Sequence, residues 1–233
     1  MSDSPFLVLL GSDPPSVGSP SDAALRDARI VQELLPDLVG RWTGVTRASY
    51  LRLVVPDARG DRGPHALVVL DVADASTFTS LRDTRTEGLA TSGDRWFLGW
   101  ERRPGWRGTP TDAAAPYVFL VGMDAPADAD EAEIDAFNAF YDDPHVPEVV
   151  SVLGYQRGIR YANAWGRVRS GDAPPAYLAA YDGDEDTIRA AEHPDRLSAF
   201  TEPGPEVWQR RTTHWRLVYR RVGGFVPLSG TRR

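Results

Sequence analysis

Short apolar runs alternate with longer amphipathic stretches along the whole chain. Phe6 to Leu10 and Tyr117 to Met123 are apolar and bounded by Pro and Gly, which predicts buried strands. After each comes a segment with apolar residues at helical spacing, ending near Leu38 and Val149; Ser21 and Asp130 stand at the positions of N-caps, and Asp130 has Glu133 three residues on. Strands are predicted next at Val45 to Val55 and Tyr155 to Val168. Gly/Pro/Asp loops at Asp57 to Pro64 and Ser170 to Pro175 lead to partner strands at Ala66 to Val72 and Ala176 to Tyr181. Second helices, about Ser76 to Leu89 and Asp184 to Ala199, precede last strands at Arg95 to Arg103 and His214 to Val222. The order βαββαβ occurs twice.

The two series align without a gap at a shift of 111 residues: Pro5, Leu9 and Gly11 fall on Pro116, Leu120 and Gly122, and Pro36, Tyr50, Leu67 and Asp71 fall on Pro147, Tyr161, Leu178 and Asp182. Trp96 and Trp100 match Trp215 and Tyr219 only with an insertion around Glu202 to Gln209. The reading is an α+β chain of two ferredoxin-like units, residues 1–111 and 112–233. Each four-stranded sheet has helices on one face only, so the bare faces are expected to meet sheet to sheet, closing a barrel around a lumen. A site between two units is expected in that lumen.

Composition narrows the chemistry. The 233 residues contain no cysteine, which removes thiol nucleophiles, zinc-thiolate centres and iron–sulfur clusters. Every basic residue is Arg, and a net charge of −7 without a long basic cluster argues against nucleic acid. Neither a basic leader nor a membrane-length apolar run is seen, so the expected location is cytoplasmic, with no membrane partner. The histidines show no HxH or HxxxH pair and acids do not converge on them, so no metal is expected. His65, His193 and His214 are read as surface or strand-end residues.

The candidate chemistry lies in the second unit. Phe137, Tyr141 and His145 are spaced by four, on one face of a helix that Pro144 should distort; Pro144 and Pro147 restrict the backbone on either side of His145. A histidine titrates near neutrality and can take a proton from a phenol or acidic carbon, with Tyr141 or Tyr161 orienting it. Alternation along the following strand places Tyr155, Arg157, Ile159, Tyr161, Asn163 and Trp165 on one face, the predicted lumen wall, with Trp96, Trp100 and Trp215 of the last strands as further lining. Arg157 and Asn163 would polarise a carbonyl there. Ordinary aromatic core packing is the competing reading for each aromatic residue.

Tyr141-x-x-x-His145-x-Pro147, Gly154-Tyr155 and Arg160-Tyr161 together resemble the helix-to-strand signature of EthD-like proteins, in the dimeric α/β-barrel superfamily. The resemblance spans about 25 residues and implies a barrel of two ferredoxin-like units, here fused in one chain, with one site, since Leu34 and Ile30 stand where His145 and Tyr141 would be. It implies a cofactor-independent enzyme acting on a small aromatic or polyketide-like substrate by lyase, cyclase, dehydratase or decarboxylase chemistry. A cofactor-independent monooxygenase and a non-catalytic small-molecule binding protein are the alternatives. Assembly as one fused barrel or as a homodimer of them is open.

Overall fold

Nearly continuous apolar runs such as Leu67–Leu70 give the inner strands two apolar faces, and both are covered. In the computed structural model, which describes residues 4–12, 20–58, 63–84, 94–105, 114–168, 173–191 and 203–227, eight antiparallel strands close into a barrel. They are β1 (Phe6–Ser12), β2 (Val45–Val55), β3 (Ala66–Val72), β4 (Asp94–Arg102), β5 (Tyr117–Asp124), β6 (Arg157–Val168), β7 (Tyr177–Gly183) and β8 (Thr212–Phe225). Around the barrel the order is β1-β3-β2-β8-β5-β7-β6-β4, so each half runs in the same internal order, β4-β1-β3-β2 and β8-β5-β7-β6. Two seams join the halves, β2 with β8 and β4 with β6.

The helices lie outside. They are α1 (Pro20–Arg29), α2 (Leu35–Arg41), α3 (Ala75–Asp83), α4 (Glu131–Phe140), α5 (Val146–Leu153), α6 (Glu185–Ala191) and the single turn α7 (Glu206–Gln209). Asp130 caps α4 with the reciprocal Glu133 bonds that the sequence predicts. Ser21 falls inside α1 instead of capping it, and the unforeseen Asp74 caps α3 through the Thr77 N–H at 2.8 Å. The expected ends of the second helices, together with His193 and Glu202, lie outside the described residues. No helix among the described residues is long and apolar enough to cross a membrane.

Three apolar clusters result. One fills the barrel: Leu7, Leu9, Leu51, Leu67, Trp96, Trp100, Tyr161, Trp215, Leu217 and Tyr219 are among its buried members. Eight strands leave an interior just wide enough for such side chains to occupy. The other two clusters sit between the sheet and the helices of the N-terminal and C-terminal halves.

Strand pairing corrects one part of the repeat. Arg47 stands opposite Asp71 and Arg157 opposite Asp182, so β2 corresponds to β6 at a shift of 110, while Asp71 and Asp182 keep the shift of 111. Tyr50 therefore does not correspond to Tyr161. Tyr50 faces the helices and hydrogen-bonds Asp27 at 3.0 Å, whereas Tyr161 points into the barrel. The bulge of β2 between Val45 and Arg47 supplies the one extra residue, and that is enough to turn each later side chain to the opposite face.

Candidate active site

The segment carrying His145 begins as a regular helix. α4 rests Phe137, Phe140 and, at its C-cap, Tyr141 on the sheet; all three are buried. Tyr141–His145 then form a π-helical turn, closed by the Val146 N–H reaching back five residues to the Tyr141 carbonyl. The first half has the same turn at Ile30–Leu34, closed by Leu35 N–H on the Ile30 carbonyl, 111 residues earlier. Pro36 and Pro147 share that spacing, and neither has an N–H for the carbonyl four residues before it. Widening the preceding turn by one residue relieves the ring clash and moves the bond to the next donor. His145 thus occupies a distorted turn, as its prolines predict, but the helix continues through α5 and does not break into a corner. Gly154, left-handed at φ 78°, ends it and lets the chain turn into β6.

His145 does not face the lumen. It lies on the helix-covered side of the second sheet, with ring centroids 5.4 Å from Tyr141, 5.7 Å from Phe140 and 4.7 Å from Trp208. Burial among these rings is the largest influence on its proton, the positive charge of Arg211 the next, partly opposed by Glu148, and together they lower its pKa to about 4. At neutral pH the imidazole is neutral with a lone pair available. Tyr181 shares a side-chain hydrogen bond with Tyr141, and burial raises the pKa of both phenols. Tyr155 packs beside them, 5.3 Å from the Tyr181 ring.

One buried cation holds this wall in place. The Arg160 guanidinium lies 3.9 Å over the Tyr141 ring, donates to Asp142 Oδ1 at 2.7 Å and to Asn138 Oδ1 at 3.1 Å, and is 2% exposed. Asp142 also accepts from Arg103 at 3.2 Å. Since Arg103 follows β4, this carboxylate ties the π turn to both halves.

The sequence-predicted residues divide between the two faces. Tyr141, His145 and Tyr155 come together on the helix side. Tyr155 precedes β6, so the strand alternation that assigned it to the lumen does not extend to it. Tyr161, Trp96, Trp100 and Trp215 are inside the barrel as expected, in a packed core that the sheet separates from His145. Tyr161 is therefore placed away from the ring it was expected to orient. Arg157 is buried at the barrel end and paired with Asp182 at 3.3 Å. Asn163 stands opposite Trp100, but a β-bulge follows, and Trp165 swings to the outer face against Phe78 and Phe97. Gly99 permits this, because a Cβ there would meet the Trp165 ring at 2.1 Å.

Three residues around the histidine escaped sequence reasoning. Arg160 enters the sequence reading only as part of the Arg160-Tyr161 signature, without a role of its own. Trp208 and Arg211 belong to the insertion or its edge; the signal was that the extra residues occur only in the half that carries the histidine. Among the described residues no group of three or more His, Asp or Glu could hold a metal ion.

No family model and no curated protein sequence matches the chain. Among solved structures, an "anthrone oxidase-like protein" superposes with a TM-score of 0.51 at 12% identity, over 95% of this chain and 92% of its own. A "Putative Chlorite dismutase" gives 0.50 at 10% identity, over 93% and 94%. The fold is the dimeric α/β barrel. A "putative monooxygenase" from Lactobacillus acidophilus gives 0.48 at 9% identity, covering 95% and 98%. At these identities the likeness concerns the fold alone; what the barrel does is argued from its own residues.

Proposed function

We propose that the chain is a fused EthD-like barrel, duplicated from units 1–111 and 112–233, whose helix-side site performs cofactor-independent acid–base chemistry on a small aromatic or polyketide-like molecule. The observation that carries this reading is a neutral imidazole enclosed by Phe140, Tyr141 and Trp208. The rings supply flat apolar contact for a planar substrate, and the lone pair accepts its proton.

A lone imidazolium here would be opposed by burial and by Arg211 and Arg160. Proton transfer from a bound phenol or acidic carbon is different, because it creates the imidazolium and a substrate anion together, and the nearby arginines stabilise that anion. Tyr141, fixed by Arg160 and Tyr181, positions the imidazole. The anion then eliminates, cyclises or loses a group, which is the lyase-type outcome. Its direct reaction with dioxygen is the monooxygenase alternative, and the anthrone oxidase-like neighbour makes anthrone a suitable first probe.

The test is turnover of anthrone and of polyketide-like phenols with and without oxygen. His145→Ala should lose about a hundredfold or more in kcat/KM, and His145→Gln should fail as well. Turnover that persists without oxygen selects the lyase reading, and turnover that requires it selects the oxygenase. A His145→Ala protein as active as the parent overturns both. Ligand that binds and is released unchanged identifies a binding protein.

A further inference from the structure

Most arginines that touch the core have a carboxylate partner. Arg52, Arg103, Arg157 and Arg160 each lie within 2.7–3.3 Å of one. Arg211 has none among the described residues, although the chain holds 33 acidic residues against 26 arginines. Its guanidinium lies 4.1 Å from the Trp208 ring and donates from Nη1 to the Trp208 carbonyl at 2.7 Å, while its buried Nε has no hydrogen-bond partner. Stacking on Trp208 and that backbone bond hold the guanidinium beside His145.

A second cation belongs to the same wall, whose Phe119 ring stacks 6.1 Å from Tyr155. Arg216, on the exposed side of β8, places its guanidinium 5.9 Å from the Phe119 ring and has no carboxylate partner among the described residues. Its backbone N–H is held by Asp57 Oδ2 at 3.0 Å. The charge of Arg216 acts on Arg211, on Tyr141 and on Tyr155, and that of Arg211 acts on Tyr141 and His145. Arg211 therefore lies on the Trp208 face of the wall and Arg216 at its exposed edge over Phe119, and neither guanidinium is paired with a carboxylate among the described residues. The buried, unpaired Nε of Arg211 leaves that fork to be satisfied by a ligand.

We infer that the substrate of this site is an aromatic carboxylate, its carboxylate bound by Arg211 with Arg216 adding attraction and its ring lying on the aromatic wall. The planar guanidinium fork matches a carboxylate in two-point geometry, which an uncharged phenol cannot use. This rests on the proposed role of the His145 site and adds a selectivity to it. The bound carboxylate also offsets the Arg211 charge at His145, so the imidazole becomes a stronger base when the ionised substrate arrives. Arg160 from β6 and Glu148 from α5, the other charges acting on that ring, stay as they are.

The experiment compares 1-hydroxy-2-naphthoate with 1-naphthol, the same ring system without the carboxylate, by isothermal titration calorimetry on the full chain at pH 7. The naphthoate should bind at least about tenfold more tightly, one charge-assisted pair being enough for that factor. Arg211→Gln should abolish the preference, so that the naphthoate binds no more tightly than 1-naphthol; Arg211→Lys should retain part of it, and Arg216→Gln should reduce it less. Thermal melts establish that each variant is folded. If 1-naphthol binds as tightly as the naphthoate, or if folded Arg211→Gln keeps the preference, the charge assignment is wrong while the aromatic site stands. If neither ligand binds, the reading of the site falls, and the selectivity with it.

Discussion

Burial holds the His145 imidazole well below the usual histidine range, and stability should follow. Its pKa in the folded chain is about 4, against 6.5 for an unperturbed histidine. A depressed pKa means that the unfolded chain binds the proton first as pH falls, so folding stability is lost between about pH 6.5 and pH 4. Two and a half units correspond to roughly 3 kcal/mol. Denaturant unfolding at pH 7 and pH 4 should show this loss in the parent, and His145→Gln should lack it. Activity dependent on the neutral imidazole should persist well below pH 6, which a pH–rate profile would show.

The two tyrosines on either side of the sheet make a second residue-level comparison. Tyr141→Phe should lower kcat several-fold by removing the hydroxyl that meets Tyr181, with little change in melting temperature. Tyr161→Phe should leave turnover near the parent value, because the barrel wall separates it from His145. Equal losses of turnover from the two would contradict this placement. The sequence makes the histidine and Tyr141 legible through their spacing and prolines. It hides Trp208 and Arg211, which reach the ring across some sixty residues of chain.

Among elements, the π turn is the one on which the site depends. Pro147→Ala restores the missing N–H and lets the turn tighten towards a regular helix, which would rotate His145 relative to Phe140 and Trp208. Turnover should fall at least about tenfold while thermal stability stays within about 1 kcal/mol of the parent. Asp142→Ala should act in the opposite sense. It strands the Arg160 charge, 2% exposed, inside the wall, with an expected loss of about 3 kcal/mol, measurable by urea unfolding. Strands are the most legible elements: the predicted bounds of β2 and β3 match residue for residue, β3 as a nearly continuous apolar run and β2 as a β-branched and aromatic stretch bounded by Gly44 and Pro56. Local irregularities were not legible. The bulge after Asn163 and the single turn of α7 carry no periodic signal of their own.

At the scale of the molecule, neither half can bury its inner sheet face alone. We propose that residues 1–111 would leave Leu7, Leu9, Leu51, Trp96 and Trp100 uncovered and the seams at β2 and β4 open. Expressed alone, that segment should dimerise or aggregate, as sedimentation would report. A cooperatively folded monomer would show that the seams are dispensable. Among charged residues, Arg47, Asp71 and Arg102 of the first half match Arg157, Asp182 and Arg221 of the second around one end of the barrel, an arrangement visible only once the shift of 110 in β2 and β6 is known.

The sequence by itself determined the α+β element order and the prediction of a closed barrel, because these depend on local periodicity and on the need to cover apolar sheet faces. It also singled out His145. Which side of the sheet carries the candidate chemistry was decided only in three dimensions. A bulge at the start of β2, a bulge beside Gly99 and an inserted turn each change the face a side chain occupies, and none alters the apolar pattern from which faces are read. Tyr161, Trp96, Trp100 and Trp215 fill the barrel, Tyr155 and Trp165 lie outside it, and the histidine meets its aromatic and cationic neighbours beneath the helices.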